Sequence, residues 1–147
     1  MAKTDERHLV QSALPTDNTA VSELLQCLDT ENYKFSDIDG VTNHIDNNQC
    51  FVIRGDGELL GVVILDVDDQ SLQVKYIVSK AKGGGRDLLR FSEEYALDRN
   101  LLKIWCWSLV RYQAIGFYAK MGFTEQFLLK KQNYGEDCYI FGKVLQK

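Results

Sequence analysis

The sequence predicts an α/β fold: a mixed, mostly antiparallel sheet of about six or seven strands with helices on both faces. Three observations predict it. From Phe51 to Val78 apolar residues form three short runs separated only by polar or glycine turns, which makes consecutive strands antiparallel. The next apolar run, Leu101–Leu109, is reached through a helical stretch, so that pair of strands should be parallel. Helical periodicity recurs both before and after the strand-rich middle, which supplies helices to cover a sheet.

The elements follow in order. His8–Leu14 reads as a first strand, and Pro15-Thr16-Asp17 turns the chain, with Thr16 or Asp17 able to cap a helix. Val21, Leu24, Leu25 and Leu28 then recur at i, i+3, i+4, i+7. Thr30–Phe35 is a polar loop carrying two aromatics. Ser36 is the next N-cap, and Ile38, Val41 and Ile45 make one helical stripe that ends near Asn47. Phe51–Arg54 and Leu59–Val67 flank Gly55-Asp56-Gly57 as a hairpin, and Leu72–Val78 follows after a second turn. Leu88, Phe91, Ser92 and Tyr95 place a helix after the glycines, with Asn100 as its left-handed stop. Leu101–Leu109 is apolar on both faces, as expected of a central covered strand with Trp105 and Trp107 in a core. A helix over Arg111–Met121 ends at Gly122, and Phe123–Lys131 with Asp137–Leu145 close the chain as a hairpin.

The 147 residues suit one domain spanning 1–147, with 45% hydrophobic and 26% charged residues. No apolar stretch approaches the roughly 20 residues a membrane span needs, and MAKTDERH is too charged for a secretory signal. Cys27, Cys50, Cys106 and Cys138 lack CxxC spacing and read as reduced thiols of a cytoplasmic protein; His8 and His44 stand apart, so no metal site is expected. Residues 1–78 carry 5 Lys/Arg against 14 Asp/Glu, and residues 79–147 carry 12 against 7. The basic half suits a polyanionic ligand and the acidic half a cationic one, while the overall balance of −4 argues against a nucleic-acid partner.

The stretch Tyr76–Ala96 concentrates the chemistry. A strand feeds Gly83-Gly84-Gly85, and a helix begins there. Helix-start N–H groups lack partners within the helix and attract anions, and Lys80, Lys82 and Arg86 add positive charge. Two readings stand open on this stretch alone, a phosphate site or a tight strand–helix turn. The P-loop pattern fails because Arg86-Asp87 follows the last glycine, and the dinucleotide fingerprint fails at Leu88.

This element order, with Lys80-Ala81-Lys82-Gly83-Gly84-Gly85 and Ala114-Ile115-Gly116-Phe117-Tyr118-Ala119-Lys120-Met121-Gly122-Phe123, resembles the GNAT superfamily of acyl-CoA N-acyltransferases. The first run matches the family's Gln/Arg-x-x-Gly-x-Gly/Ala motif with Lys in the first position. The second matches its Ala-x-x-x-Tyr-x-Lys-x-Gly-Phe segment. The resemblance implies that the amides of Gly83–Gly85, flanked by Lys80, Lys82 and Arg86, hold the pyrophosphate of acetyl-CoA. It implies that the strand edge at Ile77 and Val78 pairs with the pantetheine arm, between central strands that splay apart. It implies that Tyr118 protonates the leaving thiolate as an amine attacks the thioester directly in a ternary complex. The acceptor would be a small-molecule or peptide amine of cationic character, entering past Glu31, Tyr33, Phe35 and Tyr134. The enzyme would be a monomer or homodimer.

The sequence departs from the family at three places, one of them the turn between Val78 and Gly83, which is shorter than the usual one. Arg111 stands seven residues before the tyrosine, where many members have Asn, and could meet a phosphate instead. Leu72–Val78 carries no Asp, Glu or His to serve as a general base, a role left to Glu31, Asp66 or water. Cys106 could accept an acyl group, but with no His near it in sequence it reads as a buried structural thiol. The rivals to an amine acetyltransferase are a non-catalytic acyl-CoA sensor on the same fold and an aminoacyl-tRNA-acetylating toxin, against which the acidic balance counts.

Overall fold

The computed structural model describes residues 7–145; Met1–Glu6, most of the charged N-terminal stretch read above, lie outside the described residues. The strands are β1 (Val10–Ser12), β2 (Cys50–Arg54), β3 (Leu59–Asp68), β4 (Ser71–Ser79), β5 (Lys103–Leu109), β6 (Glu125–Asn133) and β7 (Glu136–Val144). They form one sheet in the order β1-β2-β3-β4-β5-β7-β6. Neighbours are antiparallel except β4 and β5, which the helical crossover makes parallel. The helices are α1 (Asn18–Leu25), α2 (Ile38–Asp46), α3 (Gly84–Asp98) and α4 (Ile115–Lys120).

Two cores lie on opposite faces of the sheet. Val21, Leu25, Val41 and Ile45 of α1 and α2 pack on Val52, Val62 and Ile64. Leu88, Leu89 and Ala96 of α3 and Tyr118 of α4 pack with Val63, Leu65, Leu72, Val74, Ile104, Cys106 and Phe141. Strand β3 therefore buries both of its faces, which is why its sequence reads as a continuous apolar run. Each such fully buried aliphatic side chain contributes about 1.5–3 kcal/mol relative to exposure.

One irregularity in this sheet makes the site. Ile64 pairs with Tyr76 but Leu65 pairs with Val74, so Lys75 is an extra residue in β4. A bulge bends a strand and swaps the face its later side chains occupy. Leu72 and Val74 accordingly point into the α3 core, whereas Tyr76 and Val78 pack with the α1–α2 core. Pairing of β4 with β5 runs from Ser71↔Lys103 to Val74↔Cys106 and stops there. Beyond that point the two central strands splay.

Several expectations are corrected. The first strand covers Val10–Ser12 rather than His8–Leu14, because His8 turns its backbone N–H and Nδ1 to Asp87 on α3. The last helix does not run over Arg111–Met121. Val110–Tyr112 is a 3₁₀ turn, Gln113 sits at φ 56°, and α4 follows. Tertiary ties hold that break: the Tyr112 hydroxyl donates to Leu28 O, and Arg111 bonds Glu136 and Asp29 O. Strand β5 is not covered on both faces. Ile104, Cys106 and Ser108 are buried, but Trp105 and Trp107 on the opposite face are half-exposed. The packing of α1 and α2 reaches only β2–β4, and Phe127, on the same face as Trp107, is 61% exposed. Trp105 finds its polar partner in Ser71 Oγ at 3.2 Å.

Candidate active site

The splay opens a cleft of about 750 Å³. Its walls are Val74–Ser79 of β4 and Trp107–Leu109 of β5, its floor includes Ala114, Phe117 and Tyr118, and its two ends differ in chemistry.

One end is the turn from β4 into α3. The Ser79 hydroxyl donates to Ala81 O (3.2 Å) and accepts from Ala81 N–H (3.1 Å), and Lys80 N–H donates to Leu60 O, which draws the chain back under the sheet. Gly83 is the N-cap of α3 at φ 75°, a conformation that favours glycine. At Gly84 a Cβ would lie 2.0 Å from Ser79 Oγ, so no other residue fits without displacing the serine. Gly83 and Gly85 line the cleft, and no side chain caps this helix start. Arg86 also lines the cleft; its Nη2 lies 3.0 Å from where a Gly83 Cβ would be, so the guanidinium lies over the turn. A bare helix start under an arginine fits a phosphate-bearing ligand. Apolar walls at Val74, Ile77, Val78, Leu109 and Phe117 fit the less polar arm of such a ligand.

The other end is aromatic. Tyr33 stacks on Tyr134 (ring centroids 4.2 Å) and tilts against Phe35 (4.8 Å), and Phe35 meets Tyr76 edge-on at 5.2 Å. Asn32 Nδ2 donates to Tyr134 O, so the loop between α1 and α2 is pinned to the β6–β7 turn and closes this end. Cys27, Leu28, Phe35, Tyr76, Tyr112 and Asn133 line it.

Tyr118 stands between the ends. Its ring stacks on Phe141 (4.7 Å) and meets Phe117 and Phe123 edge-on, and the residue is 3% exposed. Burial holds its hydroxyl pKa well above the ordinary value, with the neighbouring Cys106 thiol adding to the effect. Burial likewise pushes Tyr76 and Tyr112 up to about 12. All three hydroxyls therefore keep their protons at neutral pH. Among the described residues its lining includes Lys75 and Arg86 but no Asp, Glu or His. Burial pushes the Cys106 thiol up to about 12 too, which makes it a poor nucleophile.

The residues singled out from sequence divide accordingly. Ile77, Val78, Gly83, Gly85, Arg86, Phe35 and Tyr118 line the cleft, and Gly84 supports it from beneath. Lys80 and Lys82 are exposed beside the turn, Lys80 with its Nζ 3.4 Å from Glu58. Arg111 is engaged with Glu136 at 2.7 Å, at the aromatic end rather than at the turn. Tyr33 and Tyr134 stand behind Phe35 without lining the cleft. Glu31 is exposed away from it, and Asp66 accepts from Gln49 Nε2 at 3.2 Å, so neither candidate base reaches the lining.

The sequence matches the acetyltransferase (GNAT) family over residues 18–123, most of the chain. The chain belongs to that family. Solved structures agree on the fold at low identity. Ard1 from Thermoplasma volcanium superposes with a TM-score of 0.82 at 16% identity, covering 97% of this chain and 100% of that one. The PaiA N-acetyltransferase from Thermoplasma acidophilum, in complex with coenzyme A, gives 0.75 at 15%, covering 93% and 98%. The ribosomal-protein-S18-alanine N-acetyltransferase from Escherichia coli gives 0.73 at 19%, covering 95% of each. As a GNAT acetyltransferase this chain takes acetyl-CoA as its co-substrate.

Sequence reasoning missed four of the residues that line the aromatic end of this GNAT cleft: Cys27, Tyr76, Tyr112 and Asn133. Tyr76 carried a readable signal, as a polar-tipped aromatic two residues before Val78 on the strand leading to the glycines. The other three come from segments whose approach only the folded chain reveals.

Proposed function

We propose that this protein, acting as a single acyltransferase domain, moves an acetyl group from acetyl-CoA to a primary amine by direct attack in a ternary complex. The observation that carries the reading is the splay at Val74 and Cys106. It leads from a bare helix start with Arg86 at one end to an aromatic acceptor wall at the other, with a buried, protonated tyrosine between them.

In this reading the Gly83–Gly85 turn and Arg86 bind the pyrophosphate, with Lys80 and Lys82 adding positive potential beside it. The edge at Ile77 and Val78 orients the pantetheine arm, and backbone N–H near Val78 stabilises the developing oxyanion. The bound co-substrate supplies an activated thioester. Tyr118 holds the proton that the leaving thiolate needs, because its hydroxyl stays protonated. Phe35, backed by Tyr33 and Tyr134, walls the acceptor. With no carboxylate or imidazole lining the cleft among the described residues, the amine, cationic in water, loses its proton to solvent before attack. Solved structures of the same fold include enzymes named ribosomal-protein-alanine N-acetyltransferase, and this supports a peptide or protein amine as acceptor. The four free cysteines support a reducing, cytoplasmic setting.

The test is acetyl-CoA turnover against polyamines, amino acids, aminoglycosides and peptides with free N-termini, with the product weighed by mass spectrometry. An N-acetylated product supports the reading. The lining without a base favours one alternative, an acyl-CoA sensor; coenzyme A binding without turnover on any amine selects it.

A further inference from the structure

We propose that Asp87, held in turn by His8, positions Arg86 over the glycine turn and so sets how tightly the protein grips the pyrophosphate end of its co-substrate. This rests on the reading of the turn given above.

Asp87 lies in the first turn of α3 with its side chain fully buried. A buried carboxylate is costly unless held. Its Oδ2 accepts the His8 backbone N–H at 2.8 Å and lies 2.8 Å from His8 Nδ1. Its Oδ1 has no hydrogen bond and faces Arg86 Nε, also buried without one, at 3.5 Å. Residues i and i+1 of a helix do not ordinarily face each other. The approach therefore requires Arg86 to fold back across the helix start, and its Nη2 lies beside Gly83 accordingly. A cation at a helix N-terminus is repelled by the helix dipole. The buried carboxylate offsets that repulsion and keeps the guanidinium on the cleft side of the turn, where it lines the cleft. His8 fixes the carboxylate from outside α3, and Arg7 beside it bonds Glu94 at 2.8 Å, so the N-terminal segment is fastened along the same helix.

The sign of one substitution separates this role from plain electrostatics. Removing a buried negative charge beside an anion site should tighten anion binding. If Asp87 instead holds Arg86 in place, its removal weakens binding. Coenzyme A and pantetheine, which lacks the pyrophosphate, are titrated calorimetrically into the wild type and into Arg86→Ala, Asp87→Asn, His8→Ala and the Arg86→Ala/Asp87→Asn double variant. Arg86→Ala should weaken coenzyme A by roughly 10- to 100-fold, as for a charge-assisted hydrogen bond, and Asp87→Asn by about tenfold. Pantetheine affinity should stay unchanged in both. The double variant should be no weaker than Arg86→Ala alone, since the two act as one unit. His8→Ala, which keeps the backbone N–H bond and the fold, should weaken coenzyme A but not pantetheine. Tighter or equal coenzyme A binding by Asp87→Asn, equal loss of both ligands, or additive losses in the double variant would overturn the proposal. If Asp87→Asn does not fold, an unchanged coenzyme A affinity in His8→Ala overturns it. A wild type that binds coenzyme A no tighter than pantetheine instead removes the phosphate reading of the turn.

Discussion

Changing Tyr118 to Phe tests the proposed chemistry most directly, because the structure isolates the hydroxyl from everything else the side chain does. The ring is held on three sides by Phe117, Phe123 and Phe141, at centroid distances of 4.7–5.2 Å, and a phenylalanine ring keeps all three contacts. What is lost is one buried hydroxyl and its interaction with the Cys106 thiol, worth about 1 kcal/mol. For a chain of this size that lowers Tm by about 2–4 °C. The loss in rate should be larger. A general acid contributes roughly 10²-fold or more, and 10²-fold corresponds to about 2.7 kcal/mol of transition-state stabilisation. Since the proton is needed only as the thiolate leaves, kcat should fall with little change in KM for either substrate. Thiol release from acetyl-CoA, followed with a thiol reagent at saturating amine, measures kcat, and calorimetry with coenzyme A checks that the cleft is intact. A Tyr118→Phe protein that turns over at the wild-type rate would show that the tyrosine is a packing residue only.

Further outcomes follow from the same geometry. Acetyl-CoA at about 100 times its Kd should stabilise the wild type by roughly 2.7 kcal/mol, and Gly85→Val, which places a branched side chain at the cleft surface of the turn, should abolish the thermal shift while the protein still folds. Gly84→Ala should cost about 1–3 kcal/mol in denaturant unfolding because its Cβ would lie 2.0 Å from Ser79 Oγ, and Ser79→Ala in the same chain should recover part of that loss; an unaffected Gly84→Ala would contradict the packing described. Turnover should rise with pH through the pKa of the acceptor itself, about 7.7–8.0 for an α-amine and about 10.4 for a lysine. With Tyr118 held well above its usual value, no descending limb should appear below the ordinary tyrosine pKa of about 10, and one near pH 8 would mean that Tyr118 ionises in the working range. The Arg54 guanidinium, donating to Asp17 Oδ1 at 2.9 Å, holds that carboxyl below its ordinary range. Its stabilisation is therefore complete above the unfolded pKa of about 3.9 and lost as pH falls through the lower folded value, and Asp17→Asn should destabilise at pH 7 but add little to the acid-induced loss.

Much of this architecture could be read from the chain because the information is local. The stripe Val21, Leu24, Leu25 sets α1, the run of β3 shows a strand buried on both sides, and the helical crossover fixes the single parallel pair. The glycine turn was legible for the same reason, since Gly83, Gly84 and Gly85 are consecutive, and two of them carry a steric demand of their own: Gly83 its positive φ and Gly84 its closeness to Ser79. Where the reading failed, distant contacts decided. Arg111 looked like part of a helix, yet it lies in a 3₁₀ turn, and Glu136, 25 residues on, holds it at the aromatic end of the cleft. The helical stripe Ala114, Phe117, Tyr118, Met121 begins only after Gln113, and the left-handed Gln113 is fixed by ties that no local pattern records. Trp105 and Trp107 sit in a strand apolar on both faces, but α1 and α2 pack over β2–β4 and leave that face of β5 uncovered. The aromatic end of the cleft is assembled from the loop after α1, from β4, from Tyr112 and from the β6–β7 turn, and no sequence window contains more than one of these.

The placement of the two tryptophans has an optical consequence. The chain has only two, both on β5 with ring centroids 6.1 Å apart, and one of them, Trp107, lines the cleft. The molecule thus carries its own unlabelled fluorophore at the place where ligand replaces water. Emission excited near 295 nm, a wavelength at which tyrosine absorbs little, comes from this pair alone. Occupancy of the cleft should appear as a change in its colour and intensity, relayed between two neighbouring indoles.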